Sequence, residues 1–216
     1  TAEAAIDLPP ELRNRVTRFA LEGARTAGTV SLADDSLKRR KIALIKTGAD
    51  QESLQLLSPL HYLRQALAPT ADLIEGNLID ALKANPDVVI LADVADVTEA
   101  ERKAVLEWVE KGGLLLRFAG PVLAASDVSR SEEDPLMPVR LREGGRTVGG
   151  AMSWGEPKAL APFPEGSPFF GLTAPPDVVV REQVLAQPDP DLAERTIVAL
   201  DDGTRLMTRK VMGGGQ

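Results

Sequence analysis

The chain has 216 residues, 44% of them hydrophobic and 26% charged, enough to bury a sizeable globular core, with a formal net charge of −7. It holds no cysteine and one histidine, which excludes thiol catalysis, disulfides and thiolate metal sites. The acidic balance lacks the basic stripe that a phosphate backbone requires, so no nucleic acid is expected as partner.

Residues 1–36 read as a leader. Arg15 to Glu22 alternates polar and apolar at period two, the pattern of a strand, and one that could close a preceding β domain. The basic run Lys38-Arg39-Arg40-Lys41 reads as a solvated turn into the strand Lys41 to Lys46, and residues 37–216 as one α/β domain. Ser58-Pro59 opens a helix with a cap and a first-position proline, and Leu56, Leu60, Leu63 and Leu67 share one face. Ala71 to Glu75 is a second strand, Leu78 to Lys83 a short helix, and Asp87 to Leu91 a third strand. Thr98 with Glu101 forms a capping box, and the helix behind it turns Val105, Trp108 and Val109 inward. Gly112-Gly113 ends that helix, and Leu114 to Phe118 is the fourth strand. Strands separated by short helices imply right-handed crossovers and a parallel sheet with helices on both faces, a flavodoxin-like α/β fold.

Beyond Gly120 the character changes. Residues 126–138 read as a polar loop, and 139–211 as mostly antiparallel strands and loops extending one side of the sheet. Val178 to Leu185 and Thr196 to Leu200 are strands, and Asp201-Asp202-Gly203 turns into a last one over Arg205 to Val211. The glycine segments at 144–145, 149–150 and 213–215 read as turns. They lack the strand–G-x-G-x-x-G–helix context and the phosphate-loop lysine, so no cofactor is expected. No apolar run of about 18 residues is present, so no membrane span lies in this segment. The chain starts at Thr1 without a signal peptide and stops just after a strand-like stretch. Both ends are expected to be cut from something longer.

In a parallel α/β sheet, ligands sit beyond the carboxyl ends of the strands. Thr47-Gly48, Asp93, Asp96, Ala119 and Gly120 fall there. Asp93, Asp96, Glu99 and Glu101 offer oxygens of the kind a hard divalent cation accepts, but acids also favour helix N-termini through the macrodipole, and no metal is expected. Arg117 stands inside an apolar strand, where a cation needs a partner. Asp93 or a ligand carboxylate could supply one, or the stem could cover apolar surface while the head reaches water. His61, near the start of its helix, reads as a surface or cap residue. A hydrolase would need Ser126 or Ser153 beside it, and no G-x-S-x-G occurs. Trp154, in the loop-rich half, could line a pocket for carbohydrate or peptide together with the 139–175 loops.

The stretch VVILADVADVTEAERKAVLEWVEKGGLLLRFAGP resembles the class I glutamine amidotransferase-like fold. With LPPELRNRVTRF, LLSPLHYLRQAL and DDGTRLMTRKVMGGG, it resembles the middle domain of bacterial inner-membrane proteins that open with a double-transmembrane, BatA-like aerotolerance segment. The resemblance spans nearly the whole chain. It implies a soluble segment of a membrane-anchored envelope protein, more on the periplasmic than the cytoplasmic side, with Gly213 to Gly215 leading into a further strand. In active amidotransferases a nucleophilic cysteine follows the strand that matches Leu114 to Phe118, with a His and Glu later in the chain. Here that position falls at Ala119 or Gly120 and no histidine follows. The expectation is a non-catalytic binding or assembly module, its partners being other domains of the same protein or envelope proteins, or a small molecule or peptide. Asp93, Asp96, Arg117, Ala119, Gly120, His61 and Trp154 are its candidate ligand residues. The alternatives are a hydrolase using His61 with a serine and a carbohydrate- or peptide-binding module.

Overall fold

The computed structural model describes residues 6, 8, 12, 15–24, 26–33, 39–45, 60–130, 134–147 and 156–216. The leader forms a small antiparallel ladder, β1 (Arg18–Ala20) against β2 (Val30–Leu32). The chain then builds β3 (Arg40–Ile45), α1 (Leu60–Leu67), β4 (Ala71–Gly76), α2 (Leu78–Lys83), β5 (Val88–Ala92), α3 (Glu99–Glu110) and β6 (Leu114–Phe118). The four strands β3 to β6 are all parallel, in the order β4-β3-β5-β6. Numbered within the sheet this is 2-1-3-4, the flavodoxin-like order, whose direction of winding reverses between β3 and β5.

The two central strands explain why the sheet forms. Ala43, Leu44, Ile45, Val89, Ile90 and Leu91 are all buried, so both faces are covered, as parallel sheets require. On one face Ala43, Ile45, Val89 and Leu91 pack with Leu78 and Ala81 of α2 and Val105 and Val109 of α3. On the other, Ile42, Leu44, Ile90 and Ala92 pack with Leu60, Leu63 and Leu67 of α1. The helices start where side chains satisfy their first amides. The Asn77 side chain accepts from Asp80 N–H at 2.9 Å, and Thr98 and Glu101 form the expected capping box. A cap of this kind contributes about 1 kcal/mol. The expected cap of α1 at Ser58, the glycine segment at 149–150, Thr47-Gly48 and Trp154 lie outside the described residues.

After β6 a further helix, α4 (Pro121–Ala125), starts directly behind Gly120 with proline in its first turn. Three antiparallel ladders follow. They pair β7 (Leu141–Thr147) with β10 (Glu182–Ala186), β8 (Lys158–Ala159) with β9 (Val179–Val180), and β11 (Thr196–Ala199) with β12 (Arg205–Thr208). A single helical turn, α5 (Leu192–Arg195), leads into β11. These ladders are separate two-stranded sheets and do not hydrogen-bond to the parallel sheet as further strands. Gly144 and Gly145 lie within β7, opposite β10, and make no turn, since Gly145 pairs with Val184 in the ladder. The stretch 178–185 is two short strands interrupted at Arg181, with separate partners. Trp108 is only half-buried, its ring nitrogen donating to Pro86 O at 3.2 Å.

Candidate functional site

The carboxyl end of β5 meets the turn after β6, where an elbow nucleophile would sit. Asp93 has a positive φ of 57°, uncommon for a residue with a side chain. Its N–H donates to Phe118 O at 3.0 Å, adding one rung to the β5–β6 ladder. The left-handed turn aims its carboxylate at the start of α4. Oδ1 accepts from the N–H groups of Gly120 at 3.0 Å and Leu123 at 2.8 Å, and Oδ2 accepts from Val122 N–H at 3.1 Å. Gly120, at the cap position, supplies no side-chain bond, so Asp93 caps α4 from a distant part of the chain. Bonds from amides to an ionised carboxylate are among the stronger kind, and they offset the backbone strain at Asp93.

The same geometry fixes Gly120. A β-carbon there would lie 2.5 Å from Asp93 Cγ and Oδ2, so no side chain fits between the elbow and the carboxylate. Asp93, Ala119 and Gly120 are therefore brought together as expected, but in a closed capping arrangement.

Arg117 does not pair with Asp93, and it does not reach water. Its side chain is 6% exposed and its Nη2 donates to Val94 O at 2.7 Å. Its counter-charge is Asp134, itself 3% exposed, at 3.8 Å. Asp134 Oδ1 also accepts from Arg102 Nη1 at 2.8 Å and from Leu136 N–H at 2.9 Å. Two guanidinium groups thus share one buried carboxylate. Burial lowers the pKa of Arg117 from its usual value, Asp134 opposes that, and Arg102 adds to it. Asp134 was hidden in a stretch that reads as a polar loop; an acid four residues beyond Arg130 and just before Pro135-Leu136 carries no spacing signal.

The remaining candidates stand apart. Asp96 faces solvent. Glu101 is spent in the capping box, and Glu99 lies 3.4 Å from Arg102. Among the described residues, no three carboxylate or imidazole groups gather where a metal could bind. His61 is half-buried, its ring meeting Tyr62 edge-on at 5.3 Å, and it makes no hydrogen bond to a described residue. Ser126 Oγ donates to Leu123 O at 2.7 Å, so that hydroxyl serves the end of α4.

The strand order defines a flavodoxin-like parallel α/β fold. No known family model matches the chain, and no curated protein matches it in sequence. Among solved structures it is similar to a β-galactosidase from Bacillus circulans sp. alkalophilus, with 14% identity and a TM-score of 0.49 over 82% of this chain and 27% of that one. The β-galactosidase Gan42B from G. stearothermophilus, in its E323A form, gives 12% identity and 0.49 over 83% and 27%. A ThuA-like protein from Bacteroides uniformis gives 16% identity and 0.46 over 76% and 68%. The chain thus spans 27% of the length of the β-galactosidases it matches.

Proposed function

We propose that this chain is a non-catalytic, amidotransferase-like binding or assembly module of a membrane-anchored bacterial envelope protein. One observation carries the reading: the elbow after β6 holds Ala119 and Gly120, and the amides of Gly120, Val122 and Leu123 are already bonded to the Asp93 carboxylate. Acyl transfer requires a nucleophile, a base to activate it, and amide donors aimed at the developing oxyanion. Here no side chain can attack, and a resident anion holds the donors. Among the described residues, His61 meets Tyr62 edge-on and Ser126 is bonded to Leu123 O, so no described serine supports the hydrolase alternative; Ser153 lies outside the described residues.

The purified chain is expected to show no glutamine or ester hydrolysis above buffer. Turnover that disappears on substituting Ala119, Gly120 or Asp93 would overturn the reading. The envelope assignment makes a separate prediction. In spheroplasts of the native host, external protease should digest this segment of the full-length protein, and resistance until the membrane is lysed would place it on the cytoplasmic side.

A further inference from the structure

The elbow is closed, but a separate apolar cavity of about 270 Å³ lies beside the first half of β6. Val109 of α3, Ile197 of β11 and Met207 of β12 line it, with Leu136, Phe169 and Met212 from the connecting segments. Val109, Leu136 and Ile197 belong to the core, whereas Phe169, Met207 and Met212 are only half-buried around space they do not fill.

This cavity adjoins a larger one of about 430 Å³, and the two differ in chemistry. Arg117 and Ala119 line only the larger. Their N–H groups point away from β5 and have no hydrogen-bond partner among the described residues. Glu182, Gln183 and Arg205 add polar wall there. An alkyl chain would strand those amides against hydrocarbon. Beside the smaller cavity the first outward groups of β6 are already satisfied. Gly113 O accepts from Gln216 N–H at 3.2 Å, and Leu115 N–H donates to Gln216 O at 2.8 Å.

Two cations complete the smaller cavity. Arg209 and Lys210 both line it and both are exposed. Their backbone is fixed on either side: Arg209 N–H donates to Arg195 O at 2.8 Å, and Met212 N–H donates to Gly215 O at 2.9 Å. Arg209 Nη2 donates to Gly166 O at 3.2 Å, but neither side chain has a carboxylate partner among the described residues. No Asp or Glu among the described residues lines the cavity either. In a chain of net charge −7, an apolar cavity whose charged lining is two unpaired cations selects an anionic ligand.

We propose that this cavity binds a medium-chain aliphatic carboxylate, its tail between α3 and the β11–β12 ladder and its head at Arg209 and Lys210. The fork of a guanidinium and the point charge of an ammonium both suit a carboxylate. Volume sets the size. At about 270 Å³ the cavity falls just under the roughly 300 Å³ where pockets for drug-sized ligands begin, so one short chain fits and a two-chain lipid does not. The site lies at the other end of β6 from the elbow, so it stands whether or not the elbow is catalytic.

Titration of the methyl-labelled chain with octanoate, followed by NMR, tests this. The methyl signals of Ile197, Met207 and Met212 should shift and saturate, while that of Leu73 on β4 stays in place. Hexanoate should bind about 15-fold more weakly, at roughly fourfold for each methylene lost. Octanol, which lacks the charge, should bind about tenfold more weakly than octanoate. Arg209→Gln combined with Lys210→Gln, both surface changes, should bring octanoate down to the affinity of octanol. Met207→Trp should fill the cavity and abolish both, with unchanged Val89 and Leu91 methyl signals reporting an intact sheet. Octanol binding as tightly as octanoate, or a double glutamine variant binding octanoate like the parent, would overturn the proposal. So would the lack of any saturable shift, or shifts confined to residues outside the cavity. Each of these results leaves the hydrolysis assays, and the reading they test, untouched.

Discussion

Replacing Asp134 by alanine is expected to destabilise the chain by about 4 kcal/mol, because it leaves the buried Arg117 guanidinium without a counter-charge and Arg102 with only the exposed Glu99. In a domain of this size that lowers the melting temperature by roughly 10 °C. Replacing Arg117 by methionine should cost only about 1 kcal/mol, since Asp134 keeps Arg102 at 2.8 Å and a flexible apolar side chain fills the space. The double variant sharpens the contrast. Once Arg117 is methionine, removing Asp134 no longer strands the buried cation, and Arg102 keeps Glu99, so the pair should lose less than the single Asp134→Ala change. Urea unfolding of the three variants measures all of this. Equal losses for Asp134→Ala and Arg117→Met, or a double variant worse than the simple sum, would show that the buried charges are not coupled as their geometry implies.

Asp93→Ala is the second large effect, at about 3 kcal/mol. It removes one charged acceptor from three amides and keeps a β-carbon at a φ of 57°. Asp93→Asn retains an acceptor oxygen and tolerates the left-handed turn, so it should lose about half as much. Gly120→Ala acts on the same contact from the other side, pushing a methyl group into the carboxylate at a cost of about 2 kcal/mol. Thermal melts of the set rank these changes. An Asp93→Ala chain as stable as the parent would mean that solvent can replace the cap.

The sheet and its helices were legible because their signals are local. Alternation and apolar runs marked β3 to β6, and Thr98 with Glu101 marked the start of α3. The fold class followed from strands separated by helices, and the structure bears it out. The elbow was legible as a place lacking a nucleophile. What it contains instead was not, because the bond from Asp93 to Gly120, Val122 and Leu123 crosses 27 to 30 residues of sequence. The same holds for Arg117. Its oddness in an apolar strand was plain, but Asp134 reaches it only through tertiary packing. Glycine signals misled in β7, where pairing with β10 overrides the turn preference of Gly144-Gly145.

The last glycines have a consequence for anything joined to this end of the chain. Glycine runs commonly serve as slack tethers, but this one is a latch. Gly213 has a φ of 58°, Gly214 N–H is fastened to Glu110 O at 2.9 Å, and a β-carbon on Gly215 would collide with the carbonyl oxygens of Val109 and Gly113. The backbone is thereby clamped onto the α3–β6 corner. A domain, tag or surface anchor attached here would have its position and heading set by the sheet, and tension on it would load β6 directly.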